Sequence, residues 1–249
     1  MKKSFALLAM IFWSAFAAGA ANDIRVDMAA FDRAFIPVWA LTAEGRLDLA
    51  ARAMPTLQRE WREFRERHAG AKSADAAWRN DFNRIDSLIY EAAAILDGGR
   101  FPDLVRSPLE RAAALLAGLR HRNGIEYFPD HLIAFRVPMD GMIAAAADKA
   151  LRAEPLARIR ALYPAAREVW GRLPAAPGAE ARLGAAQLER LAGAVQAEVA
   201  ALDALGRALD ANDDAAIAAA ALALRPPFLS AYYLFGDFHA IMWERPAGK

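Results

Sequence analysis

The chain has 249 residues, 56% of them hydrophobic and 24% charged, with 31 basic against 30 acidic side chains and a formal net charge of +1. That is too much apolar material for a globally disordered chain, and enough for one large core or two smaller ones. The balanced charge offers no general pull on nucleic acid or anionic membrane, and the lack of cysteine excludes disulfides, c-type haem attachment, thiolate metal sites and cysteine nucleophiles.

Residues 1–20 read as a secretory signal peptide. Met1-Lys2-Lys3 is the basic start, Phe5 to Phe16 the apolar segment, and Ala18-Gly19-Ala20 the small-residue cleavage site. Without Lys2 and Lys3, 29 basic residues face 30 acidic ones, so the exported form is nearly neutral. The run Ala215 to Leu224 is apolar but shorter than the ~18 residues that a bilayer span needs. The expectation is a soluble periplasmic protein that is not embedded in a membrane.

The first predicted helix covers 23–42, with Met28, Phe31, Phe35, Val38 and Trp39 at three- and four-residue steps. Pro37 inside it should kink or split it. The second covers 46–68 and places Leu47, Ala50, Met54, Leu57, Trp61 and Phe64 on one face. Its other face carries Arg59 to Arg67 with interleaved glutamates, the pattern of a solvated, ion-paired surface. His68 falls among these charges and is expected at the surface. Ser73 or Asp75 can cap the third helix, which runs to Leu96. The fourth starts at Pro108 and ends near Arg122 before Asn123-Gly124. A short helical return follows over 125–135.

The pattern then restarts. Helices are expected over 139–153, 155–173 and 179–209, the last with Leu183, Leu188, Leu191, Val195, Val199 and Leu202 inward. A fourth covers 213–224. Pro226-Pro227 should interrupt it before a return over 228–238.

Several landmarks recur. Met54-Pro55 precedes Trp61 as Tyr163-Pro164 precedes Trp170, 109 positions later. Ile95-Leu96-Asp97 parallels Ala201-Leu202-Asp203, Leu119-Arg120 parallels Leu224-Arg225, and Phe135 with Met139 parallels Phe238 with Met242. A period near 105 is far longer than the ~34-residue helical hairpin repeats. No stretch alternates as a strand does. The fold expected is all-α: two tandem four-helix up-and-down bundle-like repeats from an internal duplication, after a cleaved leader. The first repeat would be 21–136 and the second 137–249.

Four histidines, His68, His121, His131 and His239, offer chemistry, and no two are three or four residues apart on one helix. No Glu-x-x-His, His-Glu-x-x-His, Gly-x-Ser-x-Gly or phosphate-loop motif occurs, so no catalytic constellation is expected. The aromatic returns, with Tyr127 and His131 in one and Tyr232, Tyr233 and His239 in the other, are the candidate ligand-binding residues. They would serve a small molecule or a protein partner. An alternative uses His131, Met139, His239 and Met242 as ligands to haem b or copper. In bundle architecture and compartment that alternative resembles the periplasmic four-helix b-type cytochromes. The function expected is therefore an exported ligand-binding or interaction module without a cofactor, with a haem or copper carrier as the alternative.

Overall fold

The computed structural model describes residues 4–72, 74–98, 102–147, 153–239 and 241, with side chains from residue 24 onward, Asp103 apart. Ser73 and Met242 lie outside these residues, as do the side chains of the expected leader. The described residues form helices joined by turns and short coil, without a strand. Helices α1 (Ser4–Ala43), α2 (Leu47–His68), α3 (Ala76–Asp97), α4 (Pro102–Arg122), α5 (Phe128–Ala146), α6 (Ala153–Gly171), α7 (Ala185–Ala211), α8 (Asp214–Leu222) and α9 (Arg225–Tyr232) follow in order, with short 3-10 turns at Ala179–Ala181 and Tyr233–Phe235.

The chain divides into two compact units, 1–126 with 237–249, and 127–236. In the first, α1 lies along α2 and α3 along α4, while α2 meets α3 and α4 returns to α1. Short connections between such neighbours make an up-and-down bundle. Aromatic rings fill its centre. Phe64 and Phe82 stack at 5.7 Å, Trp61 stacks on Phe82 at 5.7 Å, and Phe31 meets Trp61 edge-on at 5.8 Å. Burying rings of this size supplies most of the stabilisation such a core can have. On the outer face of α2, Arg67 pairs with Glu63 at 3.1 Å and Arg59 with Glu60 at 3.2 Å, as the charge pattern predicts.

His68 is buried rather than exposed, at 9%. It ends α2 against α1, where its Nε2 lies 2.7 Å from Asp27 Oδ2 and Arg67 takes the other carboxylate oxygen. Its ring packs on Phe64 at 4.8 Å, and its carbonyl accepts the Trp78 indole N–H at 3.0 Å. A histidine at a helix C-terminus gains a carboxylate partner here that the one-dimensional pattern does not show.

In the second unit, α5 lies along α6, α7 packs on α8 and α9, and α8 returns to α5. Phe135 packs on Trp170 at 4.6 Å and on Phe228 at 6.1 Å, and Phe228 stacks on Tyr232 at 5.7 Å. Gly206 on α7 leaves the space taken by the Tyr163 hydroxyl; a Cβ there would collide with it. The tyrosine of the Tyr163-Pro164 landmark therefore depends on a residue without a side chain across from it.

Proline marks the main differences from the predicted elements. Helix α1 runs unsplit through Pro37. The predicted return over 125–135 and the helix expected from Met139 are one helix, α5, continuous through Pro138. The expected join near residue 136 falls inside it. The stripe Phe128, Leu132, Phe135, Met139 and Met142 is buried along its whole length, and that burial outweighs the ~3 kcal/mol that an internal proline costs. The break expected at Pro226 and Pro227 comes at 223–224, between α8 and α9, just ahead of the two prolines. They sit in the first turn of α9, where the missing N–H groups have no intrahelical acceptor anyway. The helix expected over 179–209 is shorter, because Arg182 takes left-handed geometry at φ 51° and α7 starts only at Ala185.

Candidate functional site

The site is built by where α6 stops. Pro174 follows Trp170 by four residues and Pro177 comes three later. The residue before a proline is driven out of helical geometry, so α6 ends at Gly171. Its last turn tightens, with Arg172 N–H donating to Val169 O at 3.2 Å and Leu173 N–H to Trp170 O at 3.1 Å. The chain then runs as coil over 172–178.

A cavity of about 360 Å³ lies there, bounded by Phe128, Trp170, Gly171, residues 173–177 and one face of α7 from Leu188 to Val199. That is within the 300–1,000 Å³ range of small-molecule sites. Gln196 is the one polar side chain in its lining, and no lining residue is charged. Leu188, a large apolar residue at its edge, is 39% exposed.

Two buried polar groups of this unit, one in the cavity lining and one on α7, lack partners. Trp170 is 4% exposed and its indole N–H has no acceptor. Glu198 on α7 is fully buried, and neither carboxyl oxygen has a partner at hydrogen-bonding distance. It follows the lining residues Leu191 by seven positions and Val195 by three, so it leaves α7 beside the lining stripe. Burial pushes its carboxyl up to about 8 from the ordinary 4.5, and the Phe228 backbone amide acts in the opposite direction. That amide also donates to Leu224 O at 3.4 Å. A neutral acid is the cheaper form in such a place.

The residues predicted from the aromatic returns lie elsewhere. Tyr127 is buried at the N-terminus of α5, where its carbonyl accepts the Asp130 N–H at 3.1 Å. Tyr232 is buried against Phe228; Tyr233 and His131 are half-buried. His239 is exposed, its backbone N–H donating to Asp237 at 2.9 Å, and belongs to the first unit. None of these five lines the cavity; the residue after Tyr127, Phe128, does. Met139 is buried on α5 with His131 eight residues before it. Eight residues of helix rise ~12 Å, so those two side chains do not share one ion. Among the described residues no group of three or more histidine or carboxylate side chains is placed to hold a metal.

Glu198 and the cavity were missed from the sequence. The signal for Glu198 is a lone carboxylate inside the stripe Leu191, Ala194, Leu202, Leu205 and Leu209, all buried. The signal for the cavity is Pro174, one turn after Trp170, where the position four residues after Trp61 is Arg65.

A further cleft of about 450 Å³ in the first unit is lined by Arg33, Arg59, Glu60 and Asp237 among others. The stretch Asp214–Phe235 is long and apolar enough to cross a membrane by length and composition. It folds as α8, a break at 223–224 and α9, and its Arg225 bonds Asp140 at 3.2 Å. No protein-family model, curated protein or solved structure matches the chain.

Proposed function

We propose that this chain is an exported, internally duplicated helical-bundle protein that binds a small apolar molecule in its second unit. The cavity beside Trp170 carries the reading. It is concave and apolar, and it arises because a proline ends α6 where α2 continues. The duplication draws support from the matching helix order in the two units. It also draws support from the pairing of Phe31 with Trp61 in one unit and of Phe135 with Trp170 in the other. Export to the periplasm rests on the leader-like character of residues 1–20. The role is that of a binder or carrier rather than a catalyst.

The test is titration with the neutral fluorescent probe N-phenyl-1-naphthylamine. Saturable enhancement is expected from the wild type. It should be lost in Val195→Trp, which fills the cavity, while circular dichroism and the melting temperature stay close to wild type. A folded Val195→Trp protein that binds the probe as the wild type does would end the proposal.

A further inference from the structure

The cavity's walls also speak to the charge and shape of what it holds, an inference that rests on the binding reading above. All fourteen lining residues are uncharged. An ionised group laid against this apolar lining would lose part of its hydration and find no counter-ion among the lining residues. Glu198, three residues beyond the lining residue Val195 on α7, has no cation to recruit: its oxygens have no partner and it is fully buried. It therefore offers nothing to an anion. A cation would have to draw the proton off a group whose charged form is itself disfavoured by burial.

Rings make up part of what remains. Phe128 and Trp170, both nearly buried, stand behind the site, and Pro174 and Pro177 contribute rigid rings from the coil segment. Such walls favour flat or cyclic molecules over flexible chains, which lose more rotational freedom on being held. Gln196 supplies one amide, able to donate to or accept from a single neutral polar atom.

We infer that the ligand is an uncharged, ring-bearing molecule with at most one or two polar atoms, preferred over fatty acids and other carboxylates. The experiment compares N-phenyl-1-naphthylamine with its sulfonated analogue, anilinonaphthalene sulfonate, on the wild type and on Val195→Trp. The neutral probe should bind about tenfold or more tightly than the sulfonate. Naphthol should displace it at lower concentration than decanol does. A sulfonate that binds as tightly as the neutral probe, with both signals lost in Val195→Trp, overturns the charge inference and leaves the binding reading intact. Decanol competing as well as naphthol overturns the ring preference in the same way. Absence of any Val195→Trp-sensitive signal with either probe removes the binding reading, and this inference falls with it.

Discussion

Trp61 and Trp170 are both buried near the ends of helices that pack against the first helix of their unit, yet their surroundings differ. Helix α2 continues for seven residues past Trp61. That places Phe64 in the ring cluster and Arg65 where it bonds Asp86 at 3.1 Å, while Asp86 accepts the Trp61 indole N–H at 2.9 Å. Helix α6 stops one residue past Trp170. The positions matching Phe64 and Arg65 are then Leu173 and Pro174, which line the cavity. One proline converts a closed aromatic core with a satisfied polar edge into an open wall with an unsatisfied one. Replacing each tryptophan by alanine should break this contrast or sharpen it. Large-to-small aromatic changes cost about 3–5 kcal/mol in cores. Trp61→Ala should fall at the top of that range, since it loses contacts to three phenylalanine rings and the Asp86 bond. Trp170→Ala should fall at the bottom, because its ring already borders empty space. Urea unfolding of the two variants measures both, and equal losses would refute the contrast.

The carboxylates differ in the same way. Asp86 is half-buried and has both an indole and a guanidinium partner, whereas Glu198 is fully buried and has neither. A folded-state pKa raised to about 8 from 4.5 means that the folded chain keeps a proton the unfolded chain has released. Stability from this group is therefore complete below pH 4.5 and drains away as pH rises towards 8. Between pH 4.5 and 7 the loss comes to about 3 kcal/mol. Glu198→Gln carries no titrating group, so its stability should lack this decline. The measurement is the urea midpoint of wild type and Glu198→Gln across the range, and parallel slopes would show that Glu198 does not titrate in this way.

Most of the helical architecture was readable from apolar spacing alone, because burial of one face per helix decides it. Leu57, Trp61 and Phe64 on α2, and Leu191 and Leu202 on α7, fall on predicted stripes and are buried. The errors gather at prolines and at helix ends. A proline predicts a break, but whether the helix breaks depends on the burial on either side, which sequence does not weigh: Pro138 is passed through, while Pro174 stops a helix. The candidate site was hardly legible. Aromatic residues drew attention to the returns, where Tyr127 and Tyr232 are taken up in packing. In the sequence Glu198 is one more charge in an alanine-rich helix, since only packing on α9 shows which side of α7 is sealed. His68 shows the same limit, because Asp27 is 41 residues away.

The smallest predicted difference between the units lies at the start of their third helices. Helix α3 is capped by Asp75, whose backbone is extended and whose Oδ1 accepts the N–H of Ala77 at 2.8 Å and of Trp78 at 3.2 Å. Helix α7 begins at Gly184, which has no side chain to offer; instead its own N–H donates to Gln187 Oε1 at 3.0 Å. An aspartate at this position satisfies amides that otherwise face the helix end unpaired, and its charge suits the helix dipole. Asp75→Ala should therefore cost about 1 kcal/mol. Gly184 sits at φ −75° and ψ 167°, geometry open to any residue, so Gly184→Asp should stabilise by a few tenths of a kcal/mol, the usual gap between glycine and a good cap. Melting temperatures of the two variants should move in opposite directions. If Gly184→Asp instead lowers stability by as much as Asp75→Ala, the Gln187 bond is the real cap of α7, and the start of that helix is closed by a residue inside it rather than left open for one before it.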